Sequence, residues 1–311
     1  MKITVIGAGH VGATTAQLLA NNQLADTIYV VDILDGIPQG KALDMYESMP
    51  IQMSDAKIYG TNDYDVTKDS DIVIQTAGLA RKPGMSRDDL LVKNADIVKG
   101  CVENAKKYSP NAYFIIVSNP LDVMTYVALK TLGLSRDKVF GMAGILDTAR
   151  YRSFISMETG FSMQDIQAMI LGGHGDTMVP LPRFTTIAGM PVTDFISQDK
   201  LDAIVQRTIK GGGEIVSYLK EGSAYYAPAS AVVQMVEAIT RDQKRVLPCS
   251  VMLEGEYGYN DIVFGVPAVL GKGGMEKVID LKLNDDEKAL LDKSGDHVQN
   301  TIKEAMKLIN G

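Results

Sequence analysis

Residues 3 to 12 read Ile-Thr-Val-Ile-Gly-Ala-Gly-His-Val-Gly: a short apolar run opens onto Gly7-x-Gly9-x-x-Gly12 and passes into the helical spacing of Val11 to Asn22. A lone glycine pattern of this kind is a weak signal, the plainer reading being an ordinary glycine-rich turn. Glycines so placed between a strand and a helix, however, point to a phosphate-binding turn. The first permits a tight turn, the second lets backbone approach a pyrophosphate, and the third lets the helix pack close, while free N–H groups at the helix start face the phosphates. Asp32 ends the next apolar run, 20 positions after Gly12. A carboxylate there accepts hydrogen bonds from the adenosine ribose hydroxyls of NAD and repels the extra phosphate of NADP, so NAD is the expected cofactor. The plainer reading of Asp32 is a solvated aspartate in the turn before Gly36 and Pro38.

The same rhythm continues through the first half. Ile3 to Ile6, Thr27 to Val31, Ala56 to Tyr59, Asp71 to Thr76, Ala112 to Ser118 and Val139 to Met142 are short apolar runs. Those rich in Val and Ile read as strands buried on both faces of a parallel sheet. Amphipathic segments at Val11 to Asn22, Leu90 to Lys107 and Leu121 to Leu132 are long enough to cross back over it, which makes a doubly wound α/β fold. After about residue 145 the pattern becomes mixed α/β. Ile166 to Leu171, Met178 to Pro182, Val246 to Leu253 and Ile262 to Leu270 read as strands, and Asp199 to Lys220 and Ala229 to Thr240 as helices. Gly211-Gly212-Gly213 is expected to kink or split the first of these, since each glycine forfeits about 1 kcal/mol of helix propensity. Asn284 and Glu287 form a capping-box pattern ahead of a last helix whose stripe is Leu291, Val298, Ile302, Met306 and Ile309.

At roughly 150 residues per domain, 311 residues suggest two domains, drawn here at 1–145 and 146–311 and sharing an interface, since no flexible linker separates them. Two cysteines in the whole chain favour a reducing compartment and rule out a cysteine-based zinc site; no metal is expected. The formal charge of -7 argues against nucleic acid or acidic lipid as a bulk partner. No apolar stretch approaches the roughly 20 residues of a membrane span, and the N-terminus lacks a secretory pattern, so the expected location is cytoplasmic.

Three further segments carry candidate chemistry. The loop Gly78-Leu-Ala-Arg-Lys-Pro-Gly-Met-Ser-Arg follows the fourth strand and holds Arg81, Lys82 and Arg87. A guanidinium grips carboxylate with a two-pronged fork, although on spacing alone the loop is equally a solvated basic segment. Asp147 and Arg150 lie one helical turn apart, an arrangement that is usually a surface ion pair. His174, one of three histidines, sits in a glycine-rich turn. Histidine exchanges protons near neutral pH, but a lone loop histidine is more often incidental.

Taken in order, VIGAGHVG, AGLARKPGMSRDDLL, VSNPLDVMT, GILDTARYR and LGGHGDTMVP resemble the malate dehydrogenases of the lactate dehydrogenase-like group over essentially the whole chain. The resemblance implies an N-terminal Rossmann domain, a catalytic α/β domain, and NAD-linked interconversion of malate and oxaloacetate. By position it implies that His174 is the acid/base, that Asp147 fixes its tautomer, that Arg150 grips the C1 carboxylate and that Arg87 polarises the reacting oxygen. Asn119 would hydrogen-bond near that oxygen, and its bond to Pro120 is expected to be cis. The implied cofactor set is Gly7, Ala8, Gly9, His10, Val11, Gly12, Asp32, Asn94, Val117, Ser118 and Asn119. Within it His10 replaces the common asparagine and reads as a bystander.

Arg81 stands where the lactate enzymes carry glutamine, and Ala224 where they tend to carry threonine. Two guanidiniums, Arg81 and Arg150, then suit a substrate with two carboxylates. The cationic loop is expected to close over it and expel water. A lactate or other 2-hydroxyacid dehydrogenase is the nearest alternative. An NAD-dependent glycoside hydrolase would want a cysteine beside the histidine, and an inactive scaffold would be expected to lose His174, Asp147 or Arg150. The family also implies a homo-oligomer, with a tetramer favoured over a dimer.

Overall fold

The computed structural model describes residues 1–79 and 87–310, with the side chains of Arg87 and Asn310 outside that description. Arg81 and Lys82 lie outside the described residues. In chain order the first half is β1 (Lys2–Ile6), α1 (His10–Asn21), β2 (Thr27–Val31), α2 (Ile37–Ser48), β3 (Lys57–Thr61), β4 (Ile72–Gln75), α3 (Arg87–Tyr108), β5 (Tyr113–Ile116), α4 (Leu121–Leu132) and β6 (Val139–Met142). The six strands are parallel, in the order β3-β2-β1-β4-β5-β6. The order in which the chain fills the sheet reverses between β1 and β4, the switch point at which folds of this kind leave a crevice beyond the carboxyl ends of the strands.

The second half comprises α5 (Gly144–Thr159), five two-residue strands, β7 (Ile166–Gln167), β8 (Ile170–Leu171), β9 (Val179–Pro180), β10 (Thr186–Ile187) and β11 (Met190–Pro191), then α6 (Gln198–Leu219), α7 (Tyr226–Thr240), β12 (Arg245–Glu254), β13 (Asn260–Gly271), β14 (Gly274–Val278) and α8 (Asp285–Asn310). The long antiparallel strands do not make a separate sheet. β12 pairs with β6 through Cys249 with Met142 and Ser250 with Gly141, so one nine-stranded sheet runs through both halves.

Burial explains most of these elements. Ile3, Val5, Ile28, Val30, Ile72 and Ile74 are fully buried in the parallel strands, and Gly12, Ala16, Leu19 and Ala20 line the inner side of α1. Three expectations need correction. The run Ile166 to Leu171 divides into β7 and β8, because β7 pairs with β10 while β8 pairs with β9. The segment Leu121 to Leu132 is buried almost all round rather than amphipathic, since α3, α8 and β13 all pack on it. The triple glycine does not interrupt α6, which runs unbroken over 22 residues because α5 supports it. The capping box forms as read: Glu287 N–H donates to Asn284 Oδ1 at 2.8 Å and Asn284 N–H to Glu287 Oε2 at 2.9 Å.

Candidate active site

The glycine turn joins β1 to α1 at the sheet's crevice. Gly7 has φ +101°, and a Cβ on Gly12 would stand 1.9 Å from the Gly7 carbonyl oxygen, so both are needed for the turn and the helix to meet. Gly9 differs, because a Cβ there would meet nothing within 4 Å. Its small size is not demanded by the protein's own packing and leaves room for a group approaching from outside. Asp32 holds this loop from β2: one carboxylate oxygen accepts Ala8 N–H at 2.6 Å and the other accepts Leu34 N–H at 3.0 Å. Lys41, from α2, donates to the Ala8 carbonyl at 2.6 Å. No side chain caps α1 and no acidic residue lies in its first turn, so its leading N–H groups remain suited to an anion. Open space at Gly9, a bare helix start and a fixed carboxylate fit a dinucleotide.

Across the crevice, Asn94 is buried in α3 and fully engaged. Its Oδ1 accepts Leu79 N–H at 2.7 Å, and its Nδ2 donates to Leu79 O at 3.2 Å and to Asn119 O at 3.0 Å. It therefore ties the residues after β4 to those after β5. Ser118 Oγ lies 2.5 Å from Gln75 Oε1 and 2.6 Å from Ala77 O, and Val117 N–H donates to Gln75 O at 2.9 Å. The Asn119–Pro120 bond is cis, and the exposed Asn119 side chain has no hydrogen-bond partner among the described residues. His10, at the start of α1, stacks on Tyr225 with ring centroids 4.9 Å apart, next to Ala224.

The histidine turn meets α5 next to these loops. His174 Nδ1 is 2.9 Å from Asp147 Oδ2, while Asp147 Oδ1 is 3.3 Å from Arg150 Nη1. One buried carboxylate thus serves both a histidine and an arginine. With Asp147 accepting the Nδ1 proton, Nε2 is the ring nitrogen free to exchange one, and it has no partner among the described residues. Burial works against a charge on the ring, yet the charge and hydrogen bond of Asp147, with a smaller contribution from Asp122, outweigh it and hold His174 above the ordinary histidine value.

Arg150 lies across α6 at Gly211. A Cβ on that glycine would be 2.2 Å from Arg150 Cδ and 2.7 Å from Nε. The glycine read as a helix breaker instead makes room for the guanidinium arm. Asp122 is the other residue that the sequence reading left without a role. It sits in the first turn of α4 at 6 % exposure, accepting His174 N–H at 2.9 Å and Ser250 Oγ–H at 2.5 Å. Its signal in the sequence was a carboxylate inside the otherwise apolar run Leu121-Asp-Val-Met. Arg87 opens α3, and its side chain lies outside the described residues.

Both halves of the chain match one protein family. The family model described as lactate/malate dehydrogenase, NAD binding domain, matches residues 1–141, and the lactate/malate dehydrogenase alpha/beta C-terminal domain matches residues 145–309. A malate dehydrogenase of Roseiflexus sp. (strain RS-1) is 61 % identical over 301 residues, 97 % of each chain. The malate dehydrogenase from Salinibacter ruber, solved at 1.55 Å, superposes with a TM-score of 0.96 at 51 % identity, covering 100 % of this chain and 99 % of its own. A lactate dehydrogenase from Cryptosporidium parvum reaches a TM-score of 0.94 at 42 % identity, covering 98 % and 97 %. Fold alone does not separate the two substrates.

Proposed function

The chain belongs to the lactate/malate dehydrogenase family and is an NAD-dependent oxidoreductase that interconverts malate and oxaloacetate; from that premise we propose which of its residues do the chemistry. The observation that carries the assignment is Asp147 shared between His174 and Arg150. The cofactor held by the glycine turn and Asp32 would supply the redox chemistry, NAD as hydride acceptor for C2 of malate and NADH as hydride donor to oxaloacetate. His174 Nε2 takes the hydroxyl proton in oxidation and gives it back in reduction, and Asp147 keeps the proton of the neutral ring on Nδ1 and stabilises the cation that forms. Arg150 grips the C1 carboxylate, with Arg81 assigned to the second carboxylate and Arg87 and Asn119 to the reacting oxygen.

On the cofactor side, residues 7 to 12 receive the pyrophosphate and Asp32 the adenosine ribose, with Val117, Ser118 and Asn119 lining the nicotinamide end. Asn94 acts by tying the loops together, and His10 contributes through its stack on Tyr225. Residues 1–145 form the cofactor half and 146–311 the catalytic half. The protein works in the cytoplasm as a homo-oligomer, a tetramer rather than a dimer. Free thiols at Cys101 and Cys249 support that location, and exposed apolar side chains at Leu43, Tyr46, Met157 and Tyr218 support association. No helix among the described residues is long and apolar enough to cross a membrane.

One assay addresses most of this: loss of NADH absorbance with oxaloacetate or pyruvate, repeated with NADPH. Fast turnover of oxaloacetate with NADH alone is expected. A preference for pyruvate would overturn the role of Arg81, and a preference for NADPH that of Asp32. Sedimentation velocity reports the oligomer.

A further inference from the structure

Three successive backbone N–H groups of the histidine turn are held by three distant elements. Gly172 donates to Gly265 O of β13 at 2.8 Å, Gly173 to Ser294 Oγ of α8 at 2.9 Å, and His174 to Asp122 Oδ2 of α4 at 2.9 Å. A turn of sequence Gly-Gly-His-Gly has no side chain except the imidazole by which packing could grip it. Its backbone N–H groups are the available handles. Two of the holders are neutral, whereas the one that takes the amide of His174 itself is a carboxylate buried where an apolar side chain would pack at less cost. The N-terminal turn of α4 and the hydrogen bond from Ser250 offset part of that cost.

We propose that Asp122 is a positioning residue for proton transfer: by holding the His174 amide it fixes the point from which the imidazole reaches Asp147, and so where Nε2 stands against the substrate. The inference rests on the reading of His174 as the acid/base. What the turn needs at this place is an acceptor for the amide, and asparagine supplies one in the same shape, with its NH₂ free to donate to Ser250 Oγ. Alanine leaves the His174 N–H and the Ser250 hydroxyl unpaired in the interior.

The test compares wild type, Asp122→Ala, Asp122→Asn and His174→Asn. In Asp122→Ala, kcat for oxaloacetate reduction should fall by about 10²-fold, the cost of roughly an ångström of misplacement. NADH affinity measured by fluorescence should not change, and the primary isotope effect with deuterated NADH should rise as the chemical step becomes limiting. The His174 Nδ1–H resonance of the unliganded protein should broaden or vanish in Asp122→Ala and persist in Asp122→Asn, which should keep kcat within about threefold of wild type because both hydrogen bonds survive. Wild-type kcat and isotope effect in Asp122→Ala would overturn the inference, as would an equal loss in Asp122→Asn. Should the alanine variant not fold, Ser250→Ala loosens the same carboxylate without removing it, and an unchanged isotope effect there overturns the inference. Activity retained in His174→Asn would instead overturn the role of His174, whatever Asp122 does.

Discussion

Replacing Gly211 by alanine should disable carboxylate binding while leaving the cofactor half untouched. The new Cβ would stand 2.2 Å from Arg150 Cδ, where carbon atoms normally keep about 3.5–4.0 Å, so the arginine must give way by roughly 1.5 Å. A fork that must meet both oxygens of a carboxylate does not tolerate such a shift, and a misplacement of about 1 Å is worth on the order of 10² in rate. We expect kcat/KM for oxaloacetate to fall by about 10²-fold, or roughly 2.7 kcal/mol at about 1.36 kcal/mol per decade. Most of the loss should lie in KM, with NADH affinity unchanged. Gly213→Ala is the internal control: its Cβ would meet nothing within 4 Å, so it should gain up to about 1 kcal/mol from helix propensity and keep full activity. Steady-state kinetics, NADH fluorescence titration and thermal melts of the two variants suffice. A normal KM in Gly211→Ala would refute the reasoning, and so would equal damage in both variants.

The remaining predictions concern charge, specificity and stability. Asp147→Asn should lower kcat by about 10²- to 10⁴-fold, because the imidazole loses the partner that selects its tautomer. It should also move the pH profile: Asp147 holds the His174 pKa up, so in the variant the proton needed for oxaloacetate reduction is lost at lower pH, and the acid limb of malate oxidation shifts the same way. An unmoved limb would exclude the pair. Arg81→Gln should shift preference from oxaloacetate towards pyruvate by orders of magnitude, read as the ratio of the two kcat/KM values. Asn284→Ala removes the cap of α8 and should cost about 1 kcal/mol by urea denaturation with activity unchanged.

Local order makes much of this protein legible in its sequence. The glycine turn, the β-branched runs, the helix crossings and the capping box are written within spans of 4 to 22 residues, and each follows from φ/ψ preference or from the period of burial. The candidate residues His174, Asp147 and Arg150 could be named for the same reason, although spacing alone left each with an ordinary alternative. The resemblance of the motifs, and not their arithmetic, chose between these readings.

Contacts distant in sequence could not be read this way. His174 meets Asp147 across 27 positions, Asp122 across 52, and its turn meets Ser294 across 121. The sheet is continuous between the halves because β12 pairs with β6, which no local pattern encodes. Gly211 states the difference most plainly. Propensity, a property of one helix, predicted a break at that glycine, whereas packing, a property of two helices, found in it the space that Arg150 occupies. Sequence by itself determined most of the elements, though not α2 or β14, and which residues could do chemistry. Only the tertiary structure decided which of them touch, because a side chain's partner is set by the packing of whole elements and not by its neighbours along the chain.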